Sequence, residues 1–593
     1  MFSKFFNKNV DAAEQTPPST QENASKGSLT FKDINPRVNL HYGIPSTASV
    51  MAFDPIQSLL AVGTLDGRIK VIGGDNIEGL MVSQKHFPFK YLEFLQNQGF
   101  LVSVSSENEI QVWDLEQRRI VSSLRWESSI TAFSVIHGSS YMYVGDEYGM
   151  VYVVKYNAEE SSLVPLPYYV PTSAIDEASG GSSSNQHSIV GVLPQPSSQG
   201  NRVLIAYDNG LLILWDVSED KVIVVKGNKD LQLTSKIAVN SQEELRQEEP
   251  SDDEQLEKEI SALCWTSGSG TVLAVGYVDG DIMLWNLSTS VPSNGNDVVK
   301  LQLSSNASRL PVIVLHWRPK RPRDDCSGQL FVYGGDAIGS EEVLTILNLD
   351  WSAGIGKLKC IGRTDITLNG SFADMVLFTR GVSVDTTGIL VLTNPGQLHF
   401  YDSACLSSLT SKEKKKVTVS PIEYPIAIPT VEPNMTAATL GLIRVEVNLL
   451  RALSEKIAAV KLRRVEVSGN TDWPLTGGIP SQIMEAENYQ VERVYIAGYQ
   501  DGSVRIFDAT CPTISLYCVL GPEVKGTSID AASAPISALE FCSAKLTLAI
   551  GNELGTVRIL GPFFYQIPSF RLIKVSCPSL SKFCILCRCF YTI

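Results

Sequence analysis

SLLAVGTLDGRIKVIG, residues 58–73, is a short apolar run, an Asp-Gly pair and a second run in which Ile69 and Val71 alternate with Arg68 and Lys70. Alternation at period two places one face of a strand against a core and the other toward water. Asp66-Gly67 supplies the positive φ that a tight hairpin turn requires. The stretch is therefore a β-hairpin, and its pattern recurs nine times. The first members are SLLAVGT, GFLVSVS, SYMYVGD, NRVLIAY, TVLAVGY, QLFVYGG, GILVLTN, RVYIAGY and KLTLAIG, each followed by a partner such as NEIQVWDL or GDIMLWNL. Asn209-Gly210, Asp279-Gly280 and Asp501-Gly502 repeat the turn signal.

One bulky residue closes each second member: Ile72, Trp113, Val154, Trp215, Trp285, Leu347, Tyr401, Phe507 and Leu560. Successive steps are 41, 41, 61, 70, 62, 54, 106 and 53 residues. The first two match the period of roughly 40–45 residues of a four-stranded propeller blade, and the longer ones fit blades with loop insertions. A further strand precedes several pairs, as in SVMAF, YLEFL and ISALCW. A lone four-stranded sheet has two apolar faces and cannot bury both; radial stacking buries each face against a neighbour. Helix-period stretches are scarce. The expected fold is all-β, a seven-bladed β-propeller over residues 35–428 followed by the start of a second, incomplete propeller over 429–561. The step of 106 reads as the crossing between rings. Residues 1–34 are expected to be a flexible N-terminal segment.

At 593 residues the chain is long enough for more than one core, and 44% apolar residues suffice to fill them. A net charge of -14 argues against phosphate-driven nucleic-acid binding. Neither a signal peptide nor an apolar run of about 20 residues is present, so a soluble, cytosolic protein is expected. Most of the eleven cysteines, such as Cys264 and Cys542, sit singly in apolar strands, where a reduced thiol packs as a small hydrophobe.

Residues 171–188 form a Gly/Ser-rich loop, and 241–259 carry nine acidic and two basic side chains. The acidic run reads as a solvated loop, with docking of a basic partner as the sharper alternative and Ser251 as a candidate phosphorylation site. The short basic spots, Arg318 to Arg323 and Lys414 to Lys416, read as surface loops; weak contact with anionic lipid is the alternative. The tail, 562–593, loses strand alternation and gains Cys577, Cys584, Cys587 and Cys589. One crowded cluster without histidine is a poor zinc site. A non-native or truncated terminus is favoured over metal binding or acylation.

Catalytic machinery is not expected. Of six histidines (41, 86, 137, 187, 316 and 399) none lies in a metalloprotease pair, and His316 and His399 fall in strand patterns. No G-x-S-x-G elbow occurs. Gly354-Ile355-Gly356-Lys357 has the wrong glycine spacing for a phosphate loop, and Leu358 stands where Ser or Thr would hold magnesium. Asp66, Asp279 and Asp501 are turn residues, and the Trp113-Asp114, Trp215-Asp216 and Trp285-Asn286 pairs are blade-packing signatures. No catalytic, cofactor-binding or metal-binding residue is assigned, and no cofactor.

Three segments narrow the class. Residues 35–67 (NPRVNLHYGIPSTASVMAFDPIQSLLAVGTLDG) place a G-x-P step before a blade that ends Ala61-Val62-Gly63-Thr64-Leu65-Asp66-Gly67-Arg68-Ile69-Lys70-Val71. Trp473-Pro474-Leu475-Thr476-Gly477-Gly478 precedes the blade that ends at Asp508, and 84–124 supply a further stretch. These resemble the lethal giant larvae/tomosyn (syntaxin-binding) family of WD-repeat proteins, over about residues 35–560, as a plant-like or truncated member whose tomosyn branch fits better than the polarity branch. The resemblance implies tandem seven-bladed propellers and a non-enzymatic regulator of exocytosis. Its implied partners are syntaxin-type SNARE proteins, Rab GTPases and myosin II, with GTPase-regulator activity often credited to the group. Its implied location is cytoplasmic, with peripheral plasma-membrane association. The heptad-patterned C-terminal helix of tomosyns is not found, so SNARE mimicry is not carried over. Two other classes compete: a generic WD-type scaffold of a ubiquitin-ligase or chromatin complex, and a propeller hydrolase with carboxylates or histidines clustered at its channel.

Overall fold

The computed structural model describes the chain except for residues 1–40, 42, 76, 171–186, 228–234, 239–257, 289–297, 305–307, 322–323, 338–341, 380–385, 409–420, 425–433, 445–446, 468–472, 478–489, 511–513, 522–532, 562–572 and 575–593. The acidic run up to Glu257, Ser251, Lys414 to Lys416 and the four tail cysteines fall outside the described residues, as do the N-terminal segment 1–34 and all but the end of the Gly/Ser-rich loop.

Among the described residues, nine sheets built of consecutive antiparallel strands follow one another along the chain. They span residues 48–82, 89–125, 130–170, 189–226, 260–302, 312–367, 371–423, 435–520 and 536–574. Eight have four strands. The fifth gains one more, Ser235–Ala238, which pairs in parallel with Val298–Gln302 and covers what would otherwise be an open outer edge. All nine bulky marks from Ile72 to Leu560 lie on third strands. Gly67, Gly210, Gly280 and Gly502 adopt the positive φ that their turns demand.

Burial runs inward. The second strand Leu59–Thr64 is buried at every position, and the fourth strand Arg119–Arg125 is half-exposed. Second and third strands lie between two neighbouring sheets, which explains why LLAVGT and LILWD lack polar alternation. The Trp-Asp pairs divide their labour. Trp113 and Trp215 are buried and donate their indole N–H to Ser103 Oγ and Tyr168 Oη, each at 2.9 Å. Asp114 and Asp216 then accept amides two and three residues on, holding the turn into the fourth strand.

First strands pack on one another in sequence: the first sheet's on the second's, and so on to the seventh, whose first strand Ser371–Thr379 packs on Ala48–Asp54 of the first sheet. The cycle thus closes after seven sheets. The eighth and ninth pack together through Met435–Leu442 and Ile536–Cys542. The 106-residue step before Phe507, expected to mark a crossing between rings, also contains an insertion. Between the first and second strands of the eighth sheet, Leu442 and Arg493, the chain inserts the helix Val447–Val467 and the segment 473–477. Much of the 106-residue interval is therefore an insertion within a sheet. Leu453 and Ile457, one helical turn apart, are buried in the core that these two sheets share.

Candidate interaction surface

Each sheet has two ends. At one, the second strand turns into the third and the fourth strand hands over to the next sheet. The turns there are pinned by polar side chains. Asp66 accepts from Thr64 Oγ1 at 2.6 Å, from Thr47 Oγ1 at 3.1 Å and from Arg68 Nε at 3.0 Å. Partial burial opposes its ionisation, but the hydrogen bonds from Arg68 and Thr64 prevail and hold its carboxyl at about 2. His187 meets Asp208 at 3.0 Å in the fourth sheet, and Ser128 donates to Asp146 at 2.9 Å in the third.

The fifth sheet has the densest cluster. Asp281, almost fully buried, is bonded by Lys258, by Lys300 Nζ at 2.6 Å and by Arg309 Nη1 at 2.7 Å. Burial works against the carboxylate, yet Lys258 and Lys300 hold it well below the usual range. Asp279 also receives Lys258 and caps the amide of Asp281 at 3.0 Å. Asp66, Asp279 and Asp501 are thus turn-formers, as the sequence indicated.

Large apolar side chains concentrate at this end. Leu65, Val82, Phe87, Tyr148, Tyr169, Val278, Leu310 and Ile313 are all exposed there in the first seven sheets, with Leu65 and Ile313 each at 54%. Toward the opposite end, Ile56 and Ile77 on turns and Val164 and Ile361 at the starts of fourth strands are exposed in these sheets, among the described residues. Rigid turns that present apolar groups at low ordering cost suit protein binding.

The titratable side chains of the first strands tell another story. The outer edge of each first strand pairs within its own sheet, and its inner edge has no strand beside it. At four junctions, side chains of the preceding sheet fill that need. Tyr91 Oη donates to Thr131 O at 2.6 Å, and Glu93 Oε2 accepts from the Val135 amide at 2.8 Å. Ser261 Oγ donates to Val312 O at 2.7 Å, and His316 bonds the backbone of Met375. Asp374 Oδ2 accepts from the Met51 amide at 2.6 Å and closes the cycle. Burial pushes Glu93 and Asp374 up to about 7 and His316 down to about 4, and lifts the Cys264 thiol to about 12. Each of these groups is committed to a neighbouring backbone rather than gathered with the others. His399 likewise lies buried in its sheet, 3.2 Å from Thr393 Oγ1. Gly354 to Lys357 form a single 3-10 turn. The cysteines Cys264, Cys326, Cys360, Cys405, Cys518 and Cys542 are free thiols. No group of three metal-ligating side chains occurs among the described residues, and none of their helices is long and apolar enough to cross a membrane.

These features define a protein built of consecutive four-stranded antiparallel sheets. The chain is distantly homologous to the lethal(2) giant larvae proteins of the WD-repeat family. It is 21% identical to the lethal(2) giant larvae protein of Drosophila pseudoobscura pseudoobscura over 523 residues, 84% of this chain and 38% of the relative. Against the Drosophila melanogaster protein it is 21% identical over 80% of this chain and 37% of the relative. Against the human LLGL scribble cell polarity complex component 2 it is 24% identical over 31% and 19%. The chain therefore spans less than two fifths of the length of the relatives it matches. No family model matches it. Among solved structures it is similar to the β-propeller domain of Myceliophteria thermophila Cps50 (Swd1), with TM-score 0.40 and 12% identity over 61% of this chain and 98% of that one.

Proposed function

We propose that this chain is a non-enzymatic scaffold that regulates vesicle exocytosis by binding a syntaxin-type SNARE, with a Rab GTPase and myosin II as further partners. In this reading residues 35–428 are a seven-bladed propeller and 429–561 open a second, and the protein works in the cytoplasm with peripheral attachment to the plasma membrane. The observation that supports it is the display of Leu65, Phe87, Tyr148 and Ile313 at the end of the sheets that carries the hydrogen-bonded second-to-third-strand turns. No chemical step is involved. The partner docks on the turn-bearing end, and the neighbouring charged clusters tune its approach. The experiment is a pull-down of the purified chain with the cytosolic part of a plasma-membrane syntaxin at low and physiological salt. Recovery lost in a Leu65→Asp, Tyr148→Asp double variant supports the reading, and no recovery at low salt overturns it.

A second reading is a scaffold for a cell-polarity complex, favoured by the name of the human relative. Capture of polarity-complex subunits in place of syntaxin by the same end would select it.

A further inference from the structure

Six of the seven junctions in the closed cycle are crossed by the chain itself, as by Ser83 to Pro88 between the first and second sheets. The junction between the seventh and first sheets is not. Both sheets are completed by their own consecutive strands, so no strand is exchanged across this seam. Its two sides meet through Phe53 and Phe378, with ring centroids 4.8 Å apart, and through the Asp374 to Met51 hydrogen bond.

A third component lies on the seam. Trp473 and Leu475, from the insertion in the eighth sheet, are buried in a cluster that draws Ile44, Leu60 and Ile72 from the first side and Leu398, Phe400 and Tyr424 from the seventh. The Trp473 ring stands edge-on to Tyr424 at 5.2 Å and to Phe400 at 6.2 Å. The backbone is held on both sides as well. Gly477 N–H donates to Gly73 O of the first sheet at 2.8 Å, and Tyr424 Oη of the seventh side donates to Gly477 O at 2.8 Å. A Cβ on Gly477 would lie 1.8 Å from Ile77 O, so only glycine allows this approach.

We infer that residues 473–477 are the fastener of the seven-sheet cycle, a strap that bridges its one seam. The ring of sheets is then closed by chain that belongs to the eighth sheet, and the seam is the first junction to open when the strap lifts. The physical reason is local. Leu475 is fully buried in a cluster to which both sides contribute, so its removal hollows the shared core of the seam, where no covalent hand-over compensates.

The test is hydrogen exchange by mass spectrometry on the full chain, wild type against Leu475→Ala, with Ile205→Ala in the core of the fourth sheet as control. The expected result is exchange at least about thirtyfold faster in Ala48–Asp54 and Gln397–Asp402, with Ile189–Pro194 unchanged. The control is expected to show the reverse pattern. Unchanged exchange at the seam in Leu475→Ala, or equal acceleration at the seam and the fourth sheet, overturns the inference. If Leu475→Ala does not fold, Tyr424→Phe, which removes the hydroxyl bonded to Gly477, is measured in the same way. It is expected to accelerate seam exchange by about threefold, and no seam-specific change overturns the inference.

Discussion

Asp374 Oδ2 accepts the amide of Met51 at 2.6 Å, joining two first strands that lie 323 residues apart in sequence. The same carboxyl also receives the amide of Met375 at 2.7 Å. It is the last link in a head-to-tail series in which Glu93, Ser261 and His316 each serve the backbone of the following sheet. At four of the seven junctions, inner-edge backbone groups are thereby bonded by side chains of the preceding sheet. That is a structural use for the carboxylates and the histidine that a hydrolase would have required at its channel.

Asp374 carries a pH dependence with a defined sign. Burial raises its pKa from 3.8 to about 7, so the folded chain holds a proton that the unfolded chain releases. Stability from this group is complete below about pH 4 and is lost as pH rises through 7. Glu93, raised from 4.5 to about 7 by burial, acts with the same sign. Urea midpoints measured at pH 5.5 and 8.0 are expected to fall with pH in the wild type and to fall less in Asp374→Asn. Equal slopes in the two proteins would contradict the assignment.

His316 works in the opposite direction. Its burial lowers the pKa from 6.5 to about 4, so the unfolded chain takes up a proton first as pH falls. Stability from the neutral ring is present above about 6.5 and is lost between 6.5 and 4. In His316→Gln, the acid limb of the urea-midpoint profile is expected to flatten between these values while the neutral limb is unchanged. A wild-type acid limb in the variant would count against it.

The hairpins were legible because their causes are local. Alternation at period two and Asp-Gly or Asn-Gly turns act within a dozen residues, and so the nine bulky marks all fell on third strands. The helix Val447–Val467 had a readable signal in Leu449, Leu453 and Ile457 at spacing four, but the long step around it was read only as a passage between rings. Trp473 and Leu475 stood out by their resemblance to a family element, yet nothing local could say that they reach back to Ile72 and Phe400. The series through Glu93, His316 and Asp374 was equally hidden, since its partners are separated by 42 to 323 residues. Buried pairs of that kind are fixed by tertiary packing and leave no periodic trace.

Trp113 tests how far a Trp-Asp pair is a packing device. The ring is 1% exposed within a core shared by the first two sheets, and its N–H is bonded to Ser103. Trp113→Ala is expected to cost about 3–5 kcal/mol, and Trp113→Phe mainly the hydrogen bond, about 1–2 kcal/mol, plus part of the packing. Chemical denaturation of the two variants, read by hydrogen exchange at these sheets, gives the comparison. Equal losses would mean that the indole N–H, and not the volume, carries the pair.

Asp281 offers the sharpest electrostatic prediction. Lys258, Lys300 and Arg309 all converge on its carboxylate, and all three cations are at most 16% exposed. Replacing Asp281 with Asn keeps the volume and leaves three partly buried positive charges sharing only Asp279 nearby. Breaking a buried ion pair by removing one partner costs about 3–5 kcal/mol. The held-down pKa gives the sign with pH: the contribution is present above about 4 and is lost as pH falls below that. Asp281→Asn is therefore expected to be much weaker than wild type at pH 7 and to approach it below pH 3. Because the pairs are shielded from water, raising the salt from 0.1 to 1 M is expected to recover little of the difference. Full recovery by salt would place the cluster in solvent and contradict its burial.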